Sequence, residues 1–237
     1  MEHLHYRLCG TKHNCGTKHY DPEKFTKLII RDEAIYCYPL IWFNFTTYDF
    51  QRDQDIIHPT FDKKDIMVYC PGLDGPFPWR YAQVQGIFHV NVQTASLPMP
   101  KKLFFLWVRW FTPIDVNFNP AQARSYPRIS FIPYQSNEDK PFGFIDPEHV
   151  IRGCHLIPTF ELGRTSHLLP PSVARDRAGD WNAFSVNWSA SPPFFFKFTH
   201  GNISALQIVT HTCGLLALVW EVWAFKLTKF AACLLKI

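Results

Sequence analysis

The sequence predicts a mainly β protein, built as a small antiparallel barrel with an irregular N-terminal arm and a helical, apolar C-terminal tail. Three observations carry the β assignment. From Trp79 to Gln93 the residue types alternate. Ala82, Val84, Gly86, Phe88, Val90 and Val92 fall on one face, and Gln83, Gln85, His89 and Asn91 on the other, where Ile87 is the one apolar member. A period of two belongs to a half-buried strand. From Lys101 to Phe111 the chain is nearly all apolar and aromatic, as in a strand covered on both faces. Finally, 16% of the 237 residues are aromatic and 19 are prolines, which suits short strands joined by turns.

These two segments form the expected seed of the fold, a hairpin in which Ala82 to Gln93 pairs with Lys102 to Phe111. Leu97, Pro98, Met99 and Pro100 lie between them, and proline cannot continue a ladder. Phe88 and Trp107 are expected to be buried. Around the hairpin the barrel draws about five or six strands, the usual size of a small sheet, from residues 34 to 158.

In chain order, residues 1–33 read as the arm, 34–188 as the barrel and 189–237 as a Pro- and Phe-rich linker with an apolar tail. Ala34 to Tyr48 is strand-like, with Ile41, Phe43 and Phe45 directed to a core. The run from Tyr48 to Asp55 is polar and charged. Asp49, Asp53 and Asp55 lack the glycine and distant glutamate of a calcium loop, so the run reads as a solvated turn with its carboxylates near Arg52. Asp65 to Cys70 is a short strand, and Pro71 to Pro78 a loop. Arg128 to Tyr134 is a strand broken by Pro133. Phe142 to Pro147 runs into one helical turn, with Asp146 as cap and Pro147 at its first position. Gly153 to Pro158 closes the barrel, and Trp181 to Trp188 alternates again.

Seven scattered cysteines, with a polar N-terminus ahead of them, predict reduced thiols in an intracellular protein. Cys9 to His13 repeats as Cys15 to His19. Thiolate and imidazole suit tetrahedral zinc, so Cys9, His13, Cys15 and His19 are the candidate metal ligands. The spacing differs from that of familiar fingers, and a duplicated arm without metal is the alternative. The net charge of +4 permits nucleic-acid contact without demanding it. Residues 203–225 are long enough to span a bilayer, but His211 and Glu221 lie within them, and ionisable groups are costly there. A buried helix or a membrane anchor are the two readings of that run.

A resemblance becomes specific at Asn44, Phe45, Thr46, Thr47, Tyr48 and Asp49, followed by Gln51 to Asp55 and Pro59. This run resembles a segment reading NYTTYD, RRDQD and NP in fungal Plavaka-type transposon proteins, which belong to the CACTA-like cut-and-paste transposases. The likeness continues in the same order through Asp65 to Val68, Ala82 to Val92, Phe105 to Phe111, Phe142 to Pro147, Val150 to Pro158, Asp180 with Trp181, and Val186 with Asn187. It covers residues 20–188. It implies the region C-terminal to a ribonuclease-H-like catalytic domain, so no catalytic residue carries over and a nuclear location is implied. After Asn187 the chain departs from the family pattern, consistent with a decayed copy or an altered exon end. Ala82, Val84, Ile87 and Phe88, then Val108 to Phe111, then Ile151, Gly153 and Cys154, are also similar in pattern to bromo-adjacent homology domains, an analogy for the barrel alone.

The function expected is therefore a non-enzymatic, transposon-derived accessory or binding module that contacts DNA, chromatin or another transposon protein, with no cofactor. Two alternatives stand beside it, a remnant anchored to a membrane by residues 203–225 and an enzyme using Cys154 and His155. Adjacent strand residues point to opposite faces, which speaks against the last. Candidate contacts are Arg52, Arg109, Trp110, Arg152 and His155. Each has a structural reading too, with Trp110 in the core and Arg109 paired to an acid such as Asp146. Any DNA binding is expected to be weak, without sequence preference and salt-dependent.

Overall fold

The computed structural model describes residues 4, 29–46, 51–70, 79–93, 99–114, 127–137, 139–187 and 225–226. The strands in order are β1 (Ile29–Ile30), β2 (Ala34–Tyr38), β3 (Ile41–Thr46), β4 (Arg52–Ile57), β5 (Asp65–Tyr69), β6 (Trp79–Gln93), β7 (Lys101–Pro113), β8 (Arg128–Phe131), β9 (Phe142–Ile145), β10 (Val150–Gly153), β11 (Leu156–Pro158), β12 (Arg164–Thr165), β13 (Asp180–Trp181), β14 (Phe184–Val186) and β15 (Phe225–Lys226). The cysteine–histidine repeat and, apart from the short β15, the C-terminal tail lie outside the described residues. Among those described, no helix is long and apolar enough to cross a membrane.

The protein is mainly β, a curled antiparallel half-barrel. Eleven strands form the main sheet, along the path β10-β5-β6-β7-β8-β14-β11, with β1 and β2 also on β6, β9 on β7 and β15 on β2. This exceeds the five or six strands expected, because residues 34–158 alone supply eight of the eleven, and β1, β14 and β15 join from outside that range. The hairpin seed is present, with Ala82 opposite Trp110 and Val92 opposite Lys101. Strand β7 changes partner along its length. Leu106 to Arg109 pair with β9, and Phe111 to Pro113 pair with β8. The two ends of the sheet path, β10 and β11, are separated in sequence by only Cys154 and His155. One extended segment thus carries the chain from one end of the curled sheet to the other.

The charged run expected as a turn is instead a strand. Arg52 to Ile57 pairs with Ile41 to Thr46 in register, and this hairpin buries Ile41, Phe43 and Ile57 in the main core. Burial of those three apolar side chains overrides the poor strand propensity of aspartate. The cap at Asp146 forms as expected, its carboxylate accepting from the Glu148 N–H at the start of a 3-10 turn over Pro147–His149.

A β-bulge reorganises the hairpin. Val84 faces Val108 and Gly86 faces Trp107, so Gln85 is an inserted residue on β6. An insertion reverses the side to which each later side chain points. Ala82 and Val84 therefore share the main core with Ile87, Leu106 and Val108. Phe88, Val90 and Val92 form a second core with Leu103 and Phe105. The single apolar face expected from alternation is thus two half-faces on opposite sides, and Ile87 belongs to the core. A third cluster holds Phe111, Ile129, Phe131, Leu156, Phe184 and Val186, with Phe111 stacked on Phe131 at 4.3 Å.

His89 is buried rather than wet. Tyr36 stacks on it at 4.5 Å, and the Tyr38 hydroxyl lies 2.8 Å from its Nδ1. Burial, with Lys102 adding to it, lowers its pKa to about 4. The expectation of uniformly reduced thiols is also corrected, since Cys70 is disulfide-bonded whereas Cys37 and Cys154 are free.

Phe88 is buried but Trp107 is only half-buried, so the two differ in energetic weight. Phe88→Ala should cost about 3–5 kcal/mol, and Trp107→Ala clearly less. Denaturant unfolding checks this, and equal midpoint shifts for the two would show that the second core is not the side of the sheet that matters.

Candidate functional site

Three local features converge on one cleft. The first is strand β4, displayed by the β3–β4 hairpin. The second is the β10–β11 junction, where the chain passes between the ends of the sheet path. The third is the segment following β11, in which β12 and β13 pair with each other and Asp180 reaches Arg109 on β7. Between them lies a cleft of about 700 Å3, lined by Gln54 to Ile57, by Asp62 to Asp65 with Gln83, by Arg152 to Leu156, and by Asp176, Asp180 and Trp181.

Its anchor is Arg109. The side chain has no exposed area. Its Nη2 donates to Asp180 Oδ2 at 2.7 Å, its Nη1 to the Ala174 carbonyl at 3.2 Å, and its guanidinium lies 3.8 Å from the Phe131 ring centre. A buried charge needs such partners. The expected acid, Asp146, is not the partner. Asp146 caps its own turn, and Asp180, 71 residues along the chain, reaches Arg109 instead. Arg164 reinforces the same segment, donating to the Gly179 carbonyl at 2.7 Å and to Asp176 at 3.0 Å, over the Trp181 ring. Gly179 has φ of +88°, and a Cβ there would lie 3.0 Å from the Thr165 carbonyl oxygen, so the turn requires glycine.

The other expected contacts disperse. Trp110 is in the main core, with Arg80 over its ring at 4.9 Å. Arg152 donates to Asp55 at 3.3 Å and lies 4.0 Å from the Phe45 ring centre. Arg52 is exposed at the start of β4, opposite Thr46. His155 is exposed, its carbonyl accepting from the Asn187 N–H. Cys154 is half-buried, and burial first, then the charges of Asp65 and Asp55, push its thiol well above the ordinary value. A thiol held protonated is a poor nucleophile. Cys9, His13, Cys15 and His19 lie outside the described residues. Among the described residues, no group of three or more His, Cys, Asp or Glu is arranged to hold a metal ion.

Sequence reasoning missed the polar chain inside the cleft. The bulge residue Gln85 donates to Gln83, and Gln83 donates to Asp65 Oδ1 at 3.1 Å. Burial raises Asp65 to about 7, against the opposing effects of the Gln83 hydrogen bond and Lys64. Nothing in the alternation of β6 signalled this arrangement, since Gln83 and Gln85 sit regularly in it and only the register against β7 shows the bulge. Asp55 is raised as well, chiefly by burial, although Arg152 and the Gly153 N–H favour its ionised form. In total five aspartates (Asp55, Asp62, Asp65, Asp176 and Asp180) line the cleft, against Lys63, Lys64 and Arg152. Three of the five are already paired, Asp55 with Arg152, Asp176 with Arg164 and Asp180 with Arg109. Comparison with protein-family models, characterised proteins and solved structures finds no match to the chain.

Three variants test these assignments. Asp180→Ala strands the Arg109 guanidinium and should cost about 3–5 kcal/mol, while a joint Arg109→Met and Asp180→Leu replacement should recover most of that loss. Thermal unfolding reads both, and a mild Asp180→Ala would mean that the pair does not hold the segment. Asp65→Asn tests the raised carboxyl. From about pH 4 to about 7 the unfolded aspartate is ionised while the folded one keeps its proton, so this residue lowers stability as pH rises through that window. His89 works in the opposite sense, costing stability as pH falls below its ordinary value. The difference in unfolding free energy between Asp65→Asn and the parent isolates Asp65, and the variant should gain relative stability from pH 4 to 7. A flat difference curve would show an ordinary carboxylate.

Proposed function

We propose that the chain is a non-enzymatic binding module, transposon-derived by its resemblance to Plavaka-type proteins, and that its cleft takes a basic segment of a partner protein in chromatin or in the same transposon. The observation that carries this is how the strongest expected cations are used. Arg109 and Arg152 are held in ion pairs with Asp180 and Asp55, and Arg164 with Asp176, so none of the three is free for a phosphate, and phosphate binding needs accessible cations. Of the five aspartates lining the cleft, Asp62 and Asp65 stand outside those ion pairs. A segment rich in lysine or arginine is the complementary ligand. The nuclear location follows from the same resemblance.

Fluorescence anisotropy separates the two ligand classes. A labelled lysine-rich peptide should bind and weaken steadily with added salt, as surface charge pairs do. A labelled DNA duplex should bind only at low salt and without sequence preference, and neither magnesium nor manganese should lead to nicking. Sequence-selective duplex binding that survives high salt would replace this proposal with a DNA-reading one.

A further inference from the structure

Strand β4 pairs only with β3 among the described residues. Its outer edge can be placed from one hydrogen bond. The Gln54 N–H donates to the carboxylate of the neighbouring Asp53, at 2.7 Å, rather than across the ladder. Gln54 thus turns its backbone groups away from β3. In an antiparallel pair this alternates, so Arg52, Gln54 and Ile56 face outward while Asp53, Asp55 and Ile57 bond to β3. The side chains agree, since Gln54 reaches across to Asn44 at 2.7 Å, as residues of the closer, non-bonded pairs do. No backbone bond to another segment covers Arg52, Gln54 or Ile56 among the described residues. The open edge adjoins the cleft, because Gln54 to Ile57 line it, and Ile56 is 45% exposed.

We infer that β4 is a receptor edge, on which an extended basic segment of a partner protein adds as a further antiparallel or parallel strand in the cleft. The inference rests on the binding function proposed above and specifies its mode. An open strand edge is a ready template for main-chain pairing. Natural edges are protected by charge, and here Arg52 and Asp53 supply it, since Asp55 is turned to Arg152 and the Gly153 N–H. That protection selects the partner. Asp53 and Asp55 are two residues apart and so share a face of the strand, but only Asp53 is left for a ligand. A partner strand with a lysine or arginine beside Asp53 meets its carboxylate, whereas an acidic or apolar strand leaves it opposed or unpaired. The Asp53 carboxylate on the Gln54 N–H stands where a partner carbonyl would sit. When the strand docks, that carbonyl takes the N–H and frees the carboxylate for a cation.

The probe is a short capped peptide alternating lysine and threonine, titrated calorimetrically into the full chain. Two N-methylated versions are compared with it, each methylated on one alternate set of residues. Strand addition uses the N–H groups of one set only. Methylating that set should weaken binding about tenfold or more, the worth of lost main-chain hydrogen bonds, while methylating the other set leaves it unchanged. Ile56→Pro removes one outward N–H at an edge where proline is sterically tolerated. It should weaken the unmodified peptide similarly, with circular dichroism confirming the fold. Asp53→Asn keeps the acceptor but removes the charge, and should reduce the salt dependence. Equal binding of all three peptides would overturn strand addition while leaving a basic-segment cleft intact. Absence of binding by the unmodified peptide at low salt would overturn both.

Discussion

A buried guanidinium governs the arrangement of this protein. Arg109 sits in the middle of β7 with no exposed area, where an unpaired charge would be prohibitively expensive. Asp180, the Ala174 carbonyl and the face of Phe131 partner it, and its Nε alone is left without a hydrogen bond. Because Asp180 and Ala174 belong to the segment after β11, meeting the needs of one side chain brings that whole segment onto the sheet. The pair contributes little net stability over a well-packed apolar replacement, but it allows few alternatives for where residues 174–181 can lie. One end of the cleft exists for that reason.

The second determinant is a single inserted residue. With Gln85 as a bulge, β6 presents Ala82, Val84 and Ile87 to one core and Phe88, Val90 and Val92 to another. A regular strand of the same composition would present one apolar face and leave the other wet. Bulges also increase local twist, consistent with a sheet that curls into a half-barrel. The same insertion places Gln85 beside Gln83, and so supplies the amide chain that ends on Asp65. Fold and cleft chemistry thus share one irregularity.

Four arginines are used internally. Arg80 lies over Trp110 and pairs with Asp139, Arg109 with Asp180, Arg152 with Asp55, and Arg164 with Asp176. Three of these also contact aromatic rings at under 5 Å besides Arg80, which favours arginine over lysine at those places. The groove left between them is bordered by those ion pairs and by a β4 edge that no other strand pairs with among the described residues.

Local pattern by itself determined the hairpin. The period of two in Ala82 to Val92 and the apolar run from Lys101 to Phe111 are properties of adjacent residues, and so are the proline-marked loops and the Asp146 cap. It also determined that Trp110 would be core and that Arg109 would need an acid. Which acid was beyond it, because the choice between Asp146 and Asp180 depends on which segment the folded chain brings within reach, 71 residues away. The charged run from Tyr48 to Asp55 reads as a turn in isolation, and its residues from Arg52 onward join a strand, Arg52–Ile57, only because pairing with β3 buries Ile57 beside Ile41 and Phe43. The bulge likewise shows only in the pairing, since β6 alone alternates without a break and only the register against β7 reveals the inserted residue. The cleft belongs wholly to the tertiary structure, assembled from β4, β10, β11 and β13, whose proximity is set by sheet closure and by one buried ion pair rather than by any local signal.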